Sequence, residues 1–284
     1  MELLWLPFSL ATILFYGLGQ VFAKETRSEG PSSNLLLILG LNMLVIWSVY
    51  WLAFREPGSY ETLAWVQAIV GAALSGLAYV TYYESLKHGK VSIVGTIAGA
   101  YAPWTVILAL IFLGETMSLG EGAGVVLVVL SMLIFTYPNG NNGAAKTERL
   151  GMAFAICSLF LWGTSAAVAK GAIDEVGNTN FIGVYALVVP VIWVGYWVGT
   201  SKAKFTMPKS NRWILELSMI FLAVGGITYY TAIQNGPVSI VSPITNLYPI
   251  LTIAAAKIRL KEMLTPRQII ALAMLFVSVP LFSL

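Results

Sequence analysis

Carboxylates and histidines are the first side chains to consider for chemistry, and this sequence has few of them. It contains 13 Asp and Glu and a single histidine, His88, which follows Lys87. We find no Ser/His/Asp set, no HExxH motif, no glycine-rich phosphate loop and no cluster of metal-ligating residues. The sequence therefore predicts that the chain is not an enzyme and that it uses no cofactor and no metal ion.

One carboxylate needs separate consideration, because a carboxylate inside an apolar segment can carry protons across a membrane. Glu84 lies near the end of a predicted helix, behind Tyr79, Tyr82 and Tyr83. Burial at the middle of a membrane costs on the order of 3 kcal/mol, whereas a position at a helix end lets the carboxylate reach water. Two roles stay open for Glu84: a proton-coupling group, or a solvated residue that pairs with Lys87.

Polar and aromatic groups within apolar segments are the stronger indication of a site. The segments 91–113 and 238–256 contain Pro103, Pro243 and Pro249, and each proline frees a backbone carbonyl about one turn earlier. Such a carbonyl is tolerated in a membrane only where protein or a wet cavity satisfies it, so we predict a substrate site at these breaks. The candidate lining residues are Tyr16, Gln20, Tyr79, Tyr83, Thr96, Tyr101, Trp162, Tyr230, Thr245, Asn246 and Tyr248.

The elements that position these residues are predicted to be membrane-spanning helices. Hydrophobic residues make up 58% of the chain and charged residues 10%, against roughly a quarter charged in an average soluble domain. A membrane barrel is excluded because its alternation of polar and apolar residues is absent. Ten segments are long enough to cross a bilayer: 3–23, 33–54, 62–85, 91–113, 119–136, 150–170, 179–199, 212–233, 238–256 and 266–283. The predicted fold class is an all-α integral membrane protein with ten transmembrane helices.

The chain contains an internal repeat with an offset of 147 residues. The matched residues include Tyr82-Tyr83 with Tyr229-Tyr230, Val91-Ser92-Ile93-Val94 with Val238-Ser239-Ile240-Val241, Tyr101 with Tyr248, and Glu115 with Glu262. We predict a first five-helix repeat over residues 1–137, a polar linker over 138–149 and a second repeat over 150–284. Because five is an odd number of spans, the second repeat is inverted relative to the first.

Glu115 and Glu262 come three residues before Ser118 and Thr265, which begin predicted capping boxes. Their repetition at one offset favours a structural role over substrate contact. We predict that each supports the tight turn between the fourth and fifth helices of its own repeat.

Basic residues predict the orientation, because cytoplasmic loops of membrane proteins are enriched in Lys and Arg. Of the 16 Lys and Arg, 14 follow helices 1, 3, 5, 7 and 9, and the other 2, Arg55 and Lys170, lie on the opposite face. We therefore expect those five loops to be cytoplasmic and both termini to be outside, in the plasma membrane. The basic residues are scattered through short loops and form no array for nucleic acid, so the expected environment is a lipid bilayer.

The doubled motifs resemble the drug/metabolite transporter superfamily, in its EamA-type ten-helix branch. The motifs are Tyr16-Gly17 and Trp162-Gly163, the helices containing Pro103 and Pro249, and the endings Leu113-Gly114-Glu115 and Leu260-Lys261-Glu262. This resemblance covers essentially the whole chain. It implies a central cavity between two inverted bundles, with helices 1, 3, 4, 6, 8 and 9 around it and helices 5 and 10 outside. It also implies alternating access by rocking of one bundle against the other.

The sequence thus predicts a secondary transporter or facilitator for a small organic metabolite, such as an amino acid or a related zwitterion or amine. A sugar or nucleotide-sugar transporter is the alternative, although a strongly anionic substrate would need Arg or Lys at mid-membrane. Outside this class, the alternative is a membrane scaffold or receptor without transport. The expected partners are a small-molecule substrate and the lipid bilayer; the oligomeric state is open, and a monomer is compatible with the sequence.

Overall fold

The computed structural model describes residues 4–26, 32–59, 61–89, 94, 97–136, 146–201, 205, 212–248, 251 and 266–281. Within these residues the chain is helical and contains no strand. The helices are α1 (Trp5–Thr26), α2 (Ser32–Phe54), α3 (Thr62–His88), α4 (Ala102–Phe112), α5 (Leu119–Thr136), α6 (Lys146–Val176), α7 (Asn178–Ser201), α8 (Arg212–Asn235), α9 (Val238–Thr245) and α10 (Pro266–Leu281).

Six stretches of the described residues are long and apolar enough to cross a membrane. They lie in α1, α2, α3, α6, α7 and α8, and shorter apolar helices cover Ile97–Phe112 and Leu119–Ser131. Large apolar side chains face outward along these helices, for example Val45 at 63%, Leu63 at 65% and Val191 at 71% exposure. An apolar outer surface of this kind is suited to contact with lipid tails.

One helix, α6, extends further than the sequence predicted at both of its ends. α6 begins at Lys146, so the last four residues of the predicted linker belong to its first turn. α6 also continues to Val176, which places Lys170 inside the helix and not at its end. There the Lys170 Nζ lies 2.7 Å from the Asp174 Oδ1, one turn further along. The i,i+4 ion pair favours continuation of the helix beyond the apolar segment.

Two predicted spans are interrupted near their middles, the first of them just before Pro103. Pro249 lies outside the described residues. α4 begins at Ala102, after a turn at Ala100 and Tyr101, and Pro103 occupies its first turn. α9 ends at Thr245, and a turn at Asn246 and Leu247 follows. Pro243 lies inside α9 and does not end it. At 1.5 Å per residue, α4 is about 16 Å long and α9 about 12 Å, roughly half of a hydrocarbon core.

The two halves make matching contacts at equivalent positions, defined here as positions 146 or 147 residues apart. The Trp47 indole donates to the carbonyl of Ala223 at 2.8 Å, which joins α2 to α8. The Trp193 indole donates to the carbonyl of Gly76 at 3.0 Å, which joins α7 to α3. Trp47 and Trp193 are equivalent, and so are Gly76 and Ala223, so each hydrogen bond is the counterpart of the other.

Further reciprocal hydrogen bonds hold the helix crossings. The Ser165 hydroxyl of α6 donates to the carbonyl of Gly71 on α3, and the Ser218 hydroxyl of α8 donates to that of Gly19 on α1, both at 2.8 Å. Where α2 meets α7, Trp51 donates to Asn180 at 3.2 Å and Trp197 donates to Asn34 at 2.9 Å. Reciprocity of this kind is what a two-fold relation between the halves produces.

Helices of one half of the sequence pack mainly on helices of the other half. α3 makes its most extensive contacts with α6, and α1 makes its own with α8. α2 contacts α7 more extensively than α8, and α9 contacts α4 more extensively than α1. Contacts between the halves therefore dominate the packing of the described helices.

Candidate substrate-binding site

Two aromatic pairs lie beside the breaks in the fourth and ninth spans. The Tyr16 ring of α1 packs edge-on against Tyr248, with centroids 5.8 Å apart. The Trp162 ring of α6 packs against Tyr101, with centroids 6.0 Å apart. Tyr16 is equivalent to Trp162 and Tyr101 to Tyr248. The two pairs are therefore counterparts. In each pair, an aromatic residue from the first helix of one half contacts a tyrosine at the interrupted span of the other half.

Tyr79 of α3 extends this aromatic contact. Its ring lies 5.1 Å from Trp162 and 5.2 Å from Trp193, edge-on in both cases. Tyr82, one turn further along α3, lies 5.4 Å from Trp162. Edge-to-face packing of this kind fixes ring orientation, so the lining is preorganised.

The aromatic residues of the two pairs and of α3 lie close together. Tyr16, Tyr79 and Tyr101 are each partly exposed, and rings of α1, α3 and α6 meet beside the two breaks. We refer to Tyr16, Tyr79, Tyr101, Trp162 and Tyr248 as the aromatic site.

The break in α9 also touches the fourth span. The Asn246 amide nitrogen lies 3.5 Å from the carbonyl oxygen of Gly99, at the long limit for a hydrogen bond. Asn246 and Gly99 are equivalent residues, 147 apart, so this contact joins matching positions of the two halves. The Thr245 hydroxyl donates to the Val241 carbonyl at 2.8 Å, so Thr245 completes the end of its own helix.

Two other predicted lining residues, Tyr83 and Tyr230, are buried. Tyr83 and Tyr230 are only 6% exposed and belong to the hydrophobic core. The Tyr230 ring packs 4.8 Å from Phe181 and 6.0 Å from Trp47, between α2, α7 and α8. These contacts stabilise helix packing and leave little surface for a substrate.

Two predicted lining residues complete the set. Gln20 is half-buried on α1, one turn after Tyr16. Thr96 lies outside the described residues.

Sequence reasoning missed several aromatic residues at or next to the site. Tyr82 and Trp193 contact its members, and the Tyr229 hydroxyl lies 2.9 Å from the Ser242 Oγ on α9. The repeat offered a signal for Trp193, because it stands 146 residues after Trp47. A comparison of all equivalent aromatic positions would have selected both tryptophans.

Glu84 forms a small polar cluster near the end of α3. Its Oε1 lies 2.7 Å from the Lys87 Nζ and accepts a hydrogen bond from the Tyr196 hydroxyl at 2.6 Å. Lys87 also donates to that hydroxyl at 2.8 Å. The Glu84 side chain is 21% exposed, so the cluster lies where water can reach it. The pairing with Lys87, one of the two predicted roles, is present.

The predicted role of Glu115 in its own turn is wrong. Its carboxylate accepts hydrogen bonds from the backbone amides of Val238 at 2.8 Å and Ser239 at 2.9 Å, which begin α9 in the other half of the chain. The turn after α4 is formed by the backbone, with Gly114 at a φ of 65°. The local capping box is confirmed by hydrogen bonds between Ser118 and Glu121 in both directions. Glu262 lies outside the described residues.

A separate cavity of about 440 Å³ lies between α3, α4 and α6. Its lining is mostly apolar and contains none of the predicted substrate-site residues. Val66, Val70 and Phe112 line it and are 47%, 43% and 75% exposed, so it faces the lipid side. The cavity is distinct from the aromatic site. In the described part of the chain, no three His, Cys, Asp or Glu side chains are grouped so as to hold a metal ion.

Comparison with known families gives two matches to one model. The model of the EamA-like transporter family matches residues 3–137 and again residues 149–284. An uncharacterized transporter of Archaeoglobus fulgidus is 23% identical over 237 residues, which are 82% of this chain and 82% of that protein.

A second relative matches only part of the chain. An uncharacterized protein of Methanocaldococcus jannaschii is 25% identical over 130 residues, which are 46% of this chain and 94% of that protein. A protein of known crystal structure superimposes with a TM-score of 0.83 over 99% of this chain and 96% of its own, at 14% identity. At that identity the superposition is a likeness of fold alone.

Proposed function

The chain belongs to the EamA-like transporter family, and we propose that it moves a small organic metabolite across the membrane by alternating access, as a secondary transporter or facilitator. The observation that carries this proposal is the aromatic site. Its residues converge from α1, α3 and α6 on two spans that are broken near their middles. Broken helices around an interior volume are the usual construction of a transporter binding site.

We propose that ten spans form two inverted five-helix repeats, 1–137 and 150–284, around this site. The reciprocal hydrogen bonds of Trp47 and Trp193, and those of Ser165 and Ser218, support a two-fold relation. The contact between Gly99 and Asn246 supports an axis that passes close to both breaks. The two family matches, one in each half, agree with a duplication.

The substrate class we favour is an amino acid or a related zwitterion or amine. The faces of Trp162 and the tyrosines can stabilise an ammonium group by cation–π interaction, worth about 0.5–2 kcal/mol. Free carbonyls and amides at broken helices can bind the two charges of a zwitterion. A neutral sugar is the alternative, because tyrosine hydroxyls and aromatic faces also suit a sugar ring. A nucleotide sugar would need a cation for its phosphates.

The mechanism follows from the arrangement of the spans. α4 packs on α9 and α2 packs on α7, and each of these contacts joins the two halves of the chain. We infer that rocking of one bundle against the other at these contacts exposes the aromatic site to one side of the membrane and then to the other. We propose the plasma membrane as its location. The charge count favours an orientation with the loops after helices 1, 3, 5, 7 and 9 in the cytoplasm and both termini outside.

The test is uptake by proteoliposomes combined with thermal shift of the detergent-solubilised protein. The panel contains a zwitterionic amino acid, a quaternary amine, a neutral hexose and a nucleotide sugar. We expect an amino acid or amine to raise the melting temperature, since a ligand of the folded state stabilises it, and to be taken up. If only the hexose or the nucleotide sugar is taken up, the proposed amino acid or amine class is wrong and the substrate is a sugar. Binding without uptake of any compound would favour a receptor over a transporter.

A further inference from the structure

The carboxylate of Glu115 joins the two halves of the chain at one end of the molecule. It accepts from two successive amides, those of Val238 and Ser239, at 2.8 and 2.9 Å. The donor residues are 0% exposed and follow Glu115 by 123 and 124 residues. The positive φ of Gly114 turns the chain directly before Glu115. A two-point contact of this kind fixes the carboxylate in direction as well as in distance.

α9 depends on this contact because its own sequence supplies no cap. The residue before the helix is Pro237, which makes no side-chain hydrogen bond to the first turn. The first amides of a helix need acceptors from outside it, and the N-terminal end of the helix dipole favours a negative charge. Glu115 thus caps a helix of the other half. Glu121, six residues away, caps only its own helix through Ser118.

The position of this cap relates it to the aromatic site. α4 ends beside Glu115 and begins beside Tyr101, whereas α9 begins at the cap and ends three residues before Tyr248. The two helices pack against each other, so they cover the site on the side where α4 ends and α9 begins. Access from that side requires α4 and α9 to separate.

We propose that Glu115 is a positioning residue that holds this side of the transporter closed. This inference rests on the proposed alternating access. Opening breaks both hydrogen bonds to the carboxylate, so these bonds stabilise only the closed state. They therefore shift the equilibrium between the closed and open states toward the closed one. Replacement of Glu115 by Gln keeps the size of the side chain but substitutes an N–H group for one acceptor, which shifts the balance toward opening.

The experiment measures accessibility and needs no substrate. The exposed Cys157 is replaced by Ser, and Ser239 by Cys as the reporter. Ser239 is suitable because its hydroxyl is buried and has no hydrogen-bond partner, so a thiol loses no contact. The protein is reconstituted in vesicles, and a membrane-impermeant maleimide is applied from each side. Glu115→Gln is compared with its parent and with the matched control Glu121→Gln.

We expect Glu115→Gln to raise the labelling rate of the Ser239→Cys reporter about tenfold from one side of the membrane, since hydrogen bonds to a charged group are lost. Glu121→Gln should label at the parent rate. Ser85, in the last turn of α3, is also 0% exposed and serves as a second reporter position. The labelling rate of Ser85→Cys should not rise in the Glu115→Gln variant. Equal labelling rates for Glu115→Gln and its parent would refute the proposed latch, that is, the role of Glu115 in holding this side closed. Equal rises at both reporters would refute it too, because they would indicate a general loosening of the protein.

The role of Glu115 can be tested even if Glu115→Gln is defective in folding. If Glu115→Gln does not fold, Glu115→Asp retains the charge but shortens the reach by one methylene, and the same one-sided rise is expected. Failure of the latch and failure of the transport proposal are distinct results. An unchanged labelling rate in a protein that transports rejects only the latch, whereas one-sided labelling without any uptake rejects only the transport.

Discussion

At the scale of single residues, the aromatic site makes a direct prediction. Tyr101 and Tyr248 belong to the aromatic site, whereas Trp213 is 84% exposed at the start of α8, as expected of a residue at the membrane interface. We expect Tyr101→Ala or Tyr248→Ala to weaken substrate binding about tenfold, the loss of one aromatic contact, and Trp213→Ala to leave affinity unchanged. Thermal-shift titration of each variant measures the dissociation constant. Equal effects of all three substitutions would place the site elsewhere.

A second prediction concerns the coupling role of Glu84. We propose it as the proton-coupling carboxylate, because it lies at the end of a spanning helix within hydrogen-bond distance of Tyr196 and paired with Lys87. Glu84→Gln should then abolish uptake driven by a pH gradient and leave substrate exchange intact. Both are measured in proteoliposomes. The control is Glu56→Gln, in the loop after α2, and unchanged driven uptake in Glu84→Gln would assign the residue to its ion pair alone.

Glu115 illustrates what sequence cannot supply at this scale. The repeat marked it as structural, and that much is in agreement with its contacts. Its partners, however, stand 123 and 124 residues away, and no local spacing pattern encodes them. The nearby capping box of Ser118 and Glu121 was predicted correctly because all of its atoms belong to one turn of one helix.

At the scale of helices, close backbone approach gives a matched pair of glycine substitutions. A Cβ on Gly163 of α6 would lie 2.7 Å from the Trp104 ring and 3.0 Å from the Tyr101 carbonyl oxygen, whereas a Cβ on Gly195 of α7 would meet nothing within 4 Å. Gly163→Ala should therefore destabilise the protein by about 1–3 kcal/mol, and Gly195→Ala should not. Thermal unfolding in detergent compares them. A Gly163→Ala variant with unchanged stability would mean that α4 and α6 can move apart without loss of folding free energy.

The breaks in the fourth and ninth spans show which helix ends can be predicted from local sequence. Pro103 predicted the interruption before α4, and proline is favoured in the first turn of a helix. Pro243 also signals a break, but α9 continues past it to Thr245. A proline within the first turns of a helix removes few intrahelical bonds, so its effect there is small. Helix ends such as that of α6 were missed because polar, ion-paired turns extend beyond the apolar segment.

At the scale of the whole molecule, the reciprocal contacts could have been anticipated only in part. The equivalence of Trp47 and Trp193 is visible in the sequence, but the carbonyls they bind belong to helices of the opposite half. A repeat predicts which positions correspond. It does not predict that α1 packs on α8 and α3 on α6, because that choice depends on the packing of helices that are distant in sequence.

The orientation of the molecule in the membrane is a further prediction at this scale. Of the 16 Lys and Arg, 14 lie on the face we assign to the cytoplasm, and the insertion machinery retains such loops on that side. An epitope tag at either terminus should therefore be labelled by antibody in intact cells. A tag between residues 202 and 211, in the loop after α7, is the control and should require permeabilisation. The reverse pattern would invert the assignment.

The last prediction combines the repeat with the latch. Glu262 stands 147 residues after Glu115, and Val91-Ser92 stand 147 residues before Val238-Ser239. Glu262, Val91 and Ser92 lie outside the described residues, so this prediction rests on the repeat alone. In an inverted repeat, equivalent groups act at opposite faces of the membrane. Glu262→Gln should therefore favour opening at the face opposite to that opened by Glu115→Gln.

The measurement is the Ser239→Cys reporter again, read from the side where Glu115→Gln raises its rate. Glu262→Gln should lower this rate below that of the parent, because opening at one face of an alternating-access protein depopulates the state open at the other. The double variant should return toward the parent rate, since the two substitutions bias one equilibrium in opposite directions. A rise in the rate for Glu262→Gln would show that the two carboxylates do not act as a two-fold related pair.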